Sequence, residues 1–199
     1  MRRMLRKSKY YSLISLLFYS SVIILVFALV FSNWTLLIDK NYNDSLDSYE
    51  LILLDQTRRV IDGDTISYRN ITYRELFIDS PEKTTNQKDR WLGYNLDPNC
   101  MRIFGIRAYK YLNTTVYAIK IPKVGTTIPR DRYGRVLGIF LDSNMSIIGL
   151  DMVREGLAFC FYRNNSIHRL EHPELIRIAE ECLRNEDYAR ANRLGVWGC

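Results

Sequence analysis

The chain reads as an α+β protein: a five-stranded, OB-like Greek-key β-barrel with about three packed helices, preceded by one N-terminal transmembrane helix. Three observations predict this. An uncharged run fills residues 10–38, five short β-rich segments come after it, and three helix-period segments are set between and after the later strands. With 199 residues there is room for one domain of ordinary size plus an appendage. The divisions are a basic cytoplasmic segment at 1–9, a signal-anchor at 10–38, a polar linker at 39–48 and a folded domain at 49–199.

The appendage comes first. Residues 1–9 hold Arg2, Arg3, Arg6, Lys7 and Lys9 with no acidic partner. The most apolar stretch, 13–31, is close to the ~20 residues a helix needs to cross ~30 Å of hydrocarbon. It has no polar face, which argues against a core helix. A cleaved signal peptide shares the basic start, but this run exceeds the usual ~7–15 apolar residues, which favours an uncleaved anchor. The positive-inside bias keeps 1–9 cytoplasmic and sends the domain to a lumenal or extracellular side, with the lipid bilayer as partner through 10–38. Secretion after cleavage and a mitochondrial membrane are the alternatives.

That leader also carries the charge. Of 28 basic residues, five lie in 1–9, leaving 23 against 22 acidic ones. The domain is nearly neutral, so net charge gives no support for nucleic-acid binding, and attraction for phosphate must come from local clustering. Cys100, Cys160, Cys182 and Cys199 lack Cys-x-x-Cys spacing, which disfavours a thiolate metal site; in an oxidising compartment they allow three pairings. Asn-x-Ser/Thr occurs at Asn33, Asn43, Asn70, Asn113, Asn144 and Asn164, a pattern suited to a glycosylated lumenal domain.

Within the domain, residues 50–61 form a first strand, apolar through Leu51–Leu54. Residues 65–68 and 71–78 are rich in β-branched and aromatic types, with Arg69-Asn70 as the turn between them and Ser80-Pro81 as the stop. Residues 83–99 are polar and irregular, long enough for a functional loop. Helices are expected at 101–112, at 146–157 with Gly156 as stop, and at 174–193; strands at 116–121 and 136–141. His168 and His172 are four apart, but Pro173 starts a helix after both, so they are read as structural rather than as a zinc pair.

Three segments carry chemistry: Val60-Ile61-Asp62-Gly63-Asp64-Thr65, Tyr73-Arg74-Glu75-Leu76-Phe77-Ile78-Asp79-Ser80-Pro81-Glu82, and Asp131-Arg132-Tyr133-Gly134-Arg135. Asp64 leaves a tight turn and Asp79 ends a strand, where two carboxylates suit a hard cation. Glu82 lies within reach of the same place and suits orientation or deprotonation of a water. Arg74 and Arg135 offer always-charged forks for a phosphate. Five residues separate Arg74 from Asp79, so strict alternation puts them on opposite faces. They converge only if the strand bends or ends.

Together these segments resemble the thermonuclease (staphylococcal-nuclease-like) family, over about residues 60–197. Leu150-Asp151-Met152-Val153-Arg154-Glu155-Gly156-Leu157-Ala158 and Leu194-Gly195-Val196-Trp197 add to the likeness. The resemblance implies an OB-like barrel and a sugar-non-specific endonuclease that cuts DNA and RNA with Ca²⁺ and leaves 3′-phosphate ends. It implies Asp64, Asp79 and the Ser80 carbonyl as metal ligands, and Arg74, Glu82 and Arg135 as catalytic groups. Arg132 and Tyr133 would flank the nucleotide, and Tyr162 would stack on a base. No obligate protein partner is evident. The 83–101 loop has no counterpart in the family pattern and is expected to set substrate access. The competing reading is a catalytically silent nucleic-acid or protein-binding module on the same barrel.

Overall fold

The computed structural model describes residues 27, 49–88, 91, 94–123, 128–162, 170 and 172–199. The expected anchor at 10–38, Phe27 apart, lies outside the described residues, as do 1–9, 39–48 and His168. Among the described residues no helix is long and apolar enough to cross a membrane. The chain divides into Met1–Asp47 and Ser48–Cys199, and the second unit holds every strand and helix described below.

Among the described residues eight strands occur in chain order: β1 (Tyr49–Leu53), β2 (Arg59–Asp62), β3 (Thr65–Tyr68), β4 (Ile71–Glu75), β5 (Ile78–Asp79), β6 (Ala118–Pro122), β7 (Val136–Leu141) and β8 (Phe159–Cys160). Six of them form a mixed sheet in the order β1-β6-β7-β4-β3-β2, while β5 and β8 pair antiparallel in a small ribbon. Only β4 and β7 run parallel within the sheet, with Tyr73 opposite Val136. Helices α1 (Pro98–Thr115), α2 (Ile148–Arg154) and α3 (Pro173–Ala191) complete the OB-like α+β fold with a 3-10 turn at Gly195–Gly198.

The expected five strands differ from these in three places, one of them the short β8, which was not expected. The 50–61 strand is two strands, because Asp55 accepts from the Thr57 backbone N–H (2.8 Å) and hydroxyl (2.6 Å) and turns the chain. The 71–78 strand also breaks, because the Leu76 N–H turns to the Gly138 carbonyl and the Phe77 carbonyl accepts from Phe161. The Arg69-Asn70 turn is as expected: both residues take positive φ, 50° and 63°, matching a tight two-residue hairpin.

Apolar periodicity places the core. Ile66, Phe77, Ile119, Ile139, Phe140 and Met152 are fully buried between sheet and helices. Met101, Gly105, Ala108 and Leu112 recur on one face of α1, which Asp97 caps by accepting from the Asn99 N–H at 3.1 Å. His172 caps α3 through Nδ1, accepting from the Glu174 N–H at 3.3 Å, which agrees with its structural reading.

A second cluster joins Trp91, Met101, Phe159 and Val196, flanked by Tyr94 and Trp197. Disulfides Cys100–Cys199 and Cys160–Cys182 settle the pairing. Gly156 and Gly195 meet back to back, with Val196 N–H donating to the Gly156 carbonyl at 2.8 Å. A Cβ on Gly156 would lie 2.2 Å from the Leu194 carbonyl oxygen, and one on Gly195 would lie 2.1 Å from that of Gly156. Both take positive φ, so only glycine fits.

Candidate active site

The break between β4 and β5 meets the convergence condition. Arg74, near the end of β4, reaches Asp64 with one guanidinium nitrogen and Asp79 with the other. All three are buried. Asp64 enters from the tight Asp62-Gly63-Asp64 turn, where a Cβ at Gly63 would clash with Ala108 and Ser80. Its Oδ2 accepts from the Ser80 N–H at 2.7 Å and its Oδ1 from the Thr65 hydroxyl at 2.9 Å. Burial pushes Asp64 above the usual carboxylate range while Arg74 pulls it back. Burial also opposes the charge on Arg74, but Asp64 and Asp79 more than offset it and raise its pKa.

Two residues of the 83–101 loop join this centre. Neither carries a signal in the sequence, since an irregular loop has no periodicity to read. The Lys88 ammonium sits 2.5 Å from Asp79 Oδ1 and 3.2 Å from Glu82 Oε1. Trp91 donates its indole N–H to Asp79 Oδ2. Gln87, itself buried, ties the loop by accepting from the Glu82 N–H (2.9 Å) and donating to the Glu82 carbonyl (3.0 Å).

Glu75, next to Arg74 in β4, is buried at the edge of the same wall. Its Oε2 accepts from the Phe140 N–H at 2.6 Å, whereas Oε1 is buried without a hydrogen-bond partner. Burial raises its pKa to about 8, opposed by the backbone N–H groups of Phe140 and Phe77.

The opposite wall is the turn before β7. Asp131 Oδ2 accepts from Arg135 Nε at 2.7 Å, and Oδ1 accepts from the Tyr133 and Arg135 backbone N–H groups. Burial works against the Asp131 charge, but these hydrogen bonds hold its pKa below the usual range. Arg132 donates to the Tyr133 hydroxyl at 2.7 Å, and the Tyr133 ring is 68% exposed.

One cavity of about 720 Å³ spans the two walls. Arg74, Glu82, Arg132, Tyr133, Arg135 and Tyr162 all line it, so six of the nine expected site residues share it. Asp64, Asp79 and Ser80 are buried next to Arg74 and do not themselves line the cavity. Tyr162 is half-buried and leans on Phe77 with ring centroids 5.8 Å apart, whereas its neighbour Phe161 is the more exposed ring lining the cavity.

The oxygen-rich donor set has the chemistry for Ca²⁺. Its arrangement does not fit that ion. Both oxygens of Asp64 and both of Asp79 accept from protein donors, and Lys88 brings a positive charge between Asp79 and Glu82. Among the described residues no three or more acidic, His or Cys side chains form a metal-binding group.

A sequence model described as staphylococcal nuclease homologue matches residues 72–199. It takes in Arg74, Asp79, Glu82 and Arg135 and stops short of Asp64, whose place in the site rests on its contacts with Arg74 and Ser80. A search of curated proteins returned no match.

Proposed function

Because the chain belongs to the staphylococcal nuclease homologue family, we propose that it is a sugar-non-specific endonuclease hydrolysing phosphodiester bonds of DNA and RNA. The observation that supports this most is the shared cavity, lined by the guanidiniums of Arg74 and Arg135, the Glu82 carboxylate and the exposed Tyr133 ring. Arg135 and Arg74 hold the phosphate and stabilise charge growing on its equatorial oxygens. Glu82 takes a proton from water, which attacks phosphorus in line. The P–O5′ bond breaks and the departing oxygen takes up a proton, leaving 3′-phosphate and 5′-hydroxyl ends. Arg132 and Tyr133 flank the nucleotide, and Tyr162 or the more exposed Phe161 meets a base.

The family generally uses Ca²⁺, and cleavage with Ca²⁺ and with chelator is the decisive assay. Full-length protein is expected to cut single-stranded DNA and RNA, with Glu82→Gln slower by about 10²–10⁴-fold. The grip of Lys88 and Trp91 on Asp79 favours a second reading, a silent binding module. No cutting by folded protein under either condition would establish that one.

The two disulfides and the exposed positions of Asn70, Asn113 and Asn144 support a lumenal or extracellular domain, tethered to a membrane through 10–38. Glycosidase treatment should then increase gel mobility. An unchanged mobility for protein produced in a eukaryotic cell would count against secretory delivery.

A further inference from the structure

Lys88 stands where the family resemblance implies a metal. Its ammonium bridges Asp79, which is fully buried, and Glu82, which lines the cavity. The side chain itself is only 31% exposed, so this is a held contact rather than a passing surface pair. Two neighbours hold it. Gln87 closes residues 82–87 on themselves through the Glu82 N–H, the Glu82 carbonyl and the Thr84 carbonyl. Trp91 is stacked on Phe159 with ring centroids 4.3 Å apart and 15° between planes, and donates to the second oxygen of Asp79. The 83–101 segment therefore reaches Asp79 twice, once with a charge.

We propose that Lys88 is an internal cation: its ammonium competes with divalent metal for Asp79 and Glu82, so this chain takes up Ca²⁺ only by displacing it. The proposal rests on the nuclease reading of the same cavity and specifies what sets its metal requirement. The physical reason is direct. A carboxylate oxygen that already accepts from an ammonium has less charge to offer a metal, and a metal arriving beside that ammonium meets a like charge in a partly buried place. Release needs little rebuilding of the core, because Lys88 lies on a loop and has solvent on one side.

The test is calorimetric titration of Ca²⁺ into full-length wild type, Lys88→Met and Lys88→Arg, with melting curves to verify folding. Lys88→Met is expected to bind Ca²⁺ at least tenfold more tightly than wild type, and Lys88→Arg, which keeps the charge, to stay within about threefold of it. Trp91→Phe keeps an aromatic side chain but loses the N–H donor and one ring of the buried stack, and is expected to tighten Ca²⁺ binding by less, with its melting curve showing the cost of the smaller ring. Equal affinity in wild type and Lys88→Met, or no Ca²⁺ binding by either, would overturn the internal cation. Cleavage assays on the same samples separate the two readings. Tighter Ca²⁺ binding in Lys88→Met with no cutting by any variant would leave the internal cation standing and end the nuclease reading. Cutting by wild type and Lys88→Met at the same half-maximal Ca²⁺ would do the reverse.

Discussion

The two walls of the cavity carry similar charges in opposite settings. On one, Asp64, Arg74 and Asp79 are buried and paired to one another. On the other, the turn ending in Arg135 is held by Asp131, with Tyr133 open to solvent. A charge buried with its partner is part of the fold, and removing it strands the partner out of reach of water. A charge anchored at the rim stays available to a ligand, and removing it leaves the fold nearly as it was. The buried wall thus carries the fold as well as one grip on the phosphate, through Arg74, whereas the rim turn carries a grip on the phosphate alone, and mutation should separate the two.

The largest effect is expected at Arg74. Arg74→Ala leaves two carboxylates without their buried counter-charge, and urea unfolding should show a loss of about 3–5 kcal/mol. A loss under about 1 kcal/mol, as for a surface pair, would erase the contrast between the walls. Next comes Arg135→Ala, which should lower kcat by about 10²–10³ while stability moves by no more than about 1 kcal/mol. Joint loss of both quantities would mean that the rim is also structural.

Glu75 sharpens the comparison through pH. Its pKa is about 8 when folded, against ~4.3 unfolded. The native state therefore keeps a proton that the unfolded chain has lost, and stability is full below pH ~4 and falls as pH rises toward 8. Glu75→Gln cannot ionise, so its unfolding free energy should change less across that window and exceed that of wild type at pH 8 by on the order of 2 kcal/mol. Parallel profiles in urea titrations at pH 5 and pH 8 would show that Glu75 is not the source. The smallest effect belongs to the exposed ring. Tyr133→Ala should raise KM about fivefold with kcat unchanged, the worth of one weak stacking contact.

Much of this was legible because local chemistry decided it. Residues 65–68 and 136–141 form strands with the expected ends, since β-branched runs between turn residues leave little choice. Asp64, Arg74, Asp79 and Arg135 fall in short motifs whose spacing carries through to the contacts. What escaped depends on contacts distant in sequence or on weak local signals. The two residues of β8 are too few to show alternation. Helix α1 starts three residues earlier than expected, and the overlooked signal was Asp97-Pro98, a cap followed by a first-turn proline. Lys88 and Trp91 sit in a polar stretch with no period, and only the folded loop brings them to Asp79.

The back-to-back glycines have a consequence for how harm would spread through the protein. Gly156 and Gly195 are 39 positions apart, yet a side chain on either pries apart the same backbone contact. The second replacement should therefore add little to the damage done by the first, as two cuts to one rope. What hangs from that rope is Trp197, whose ring meets Phe159 edge-on at 5.2 Å, and Phe159 in turn supports Trp91, the donor to Asp79. Neither glycine lines the cavity. An inherited lesion at either would nonetheless be felt at Asp79, and a survey of variants would group it with those of the site itself.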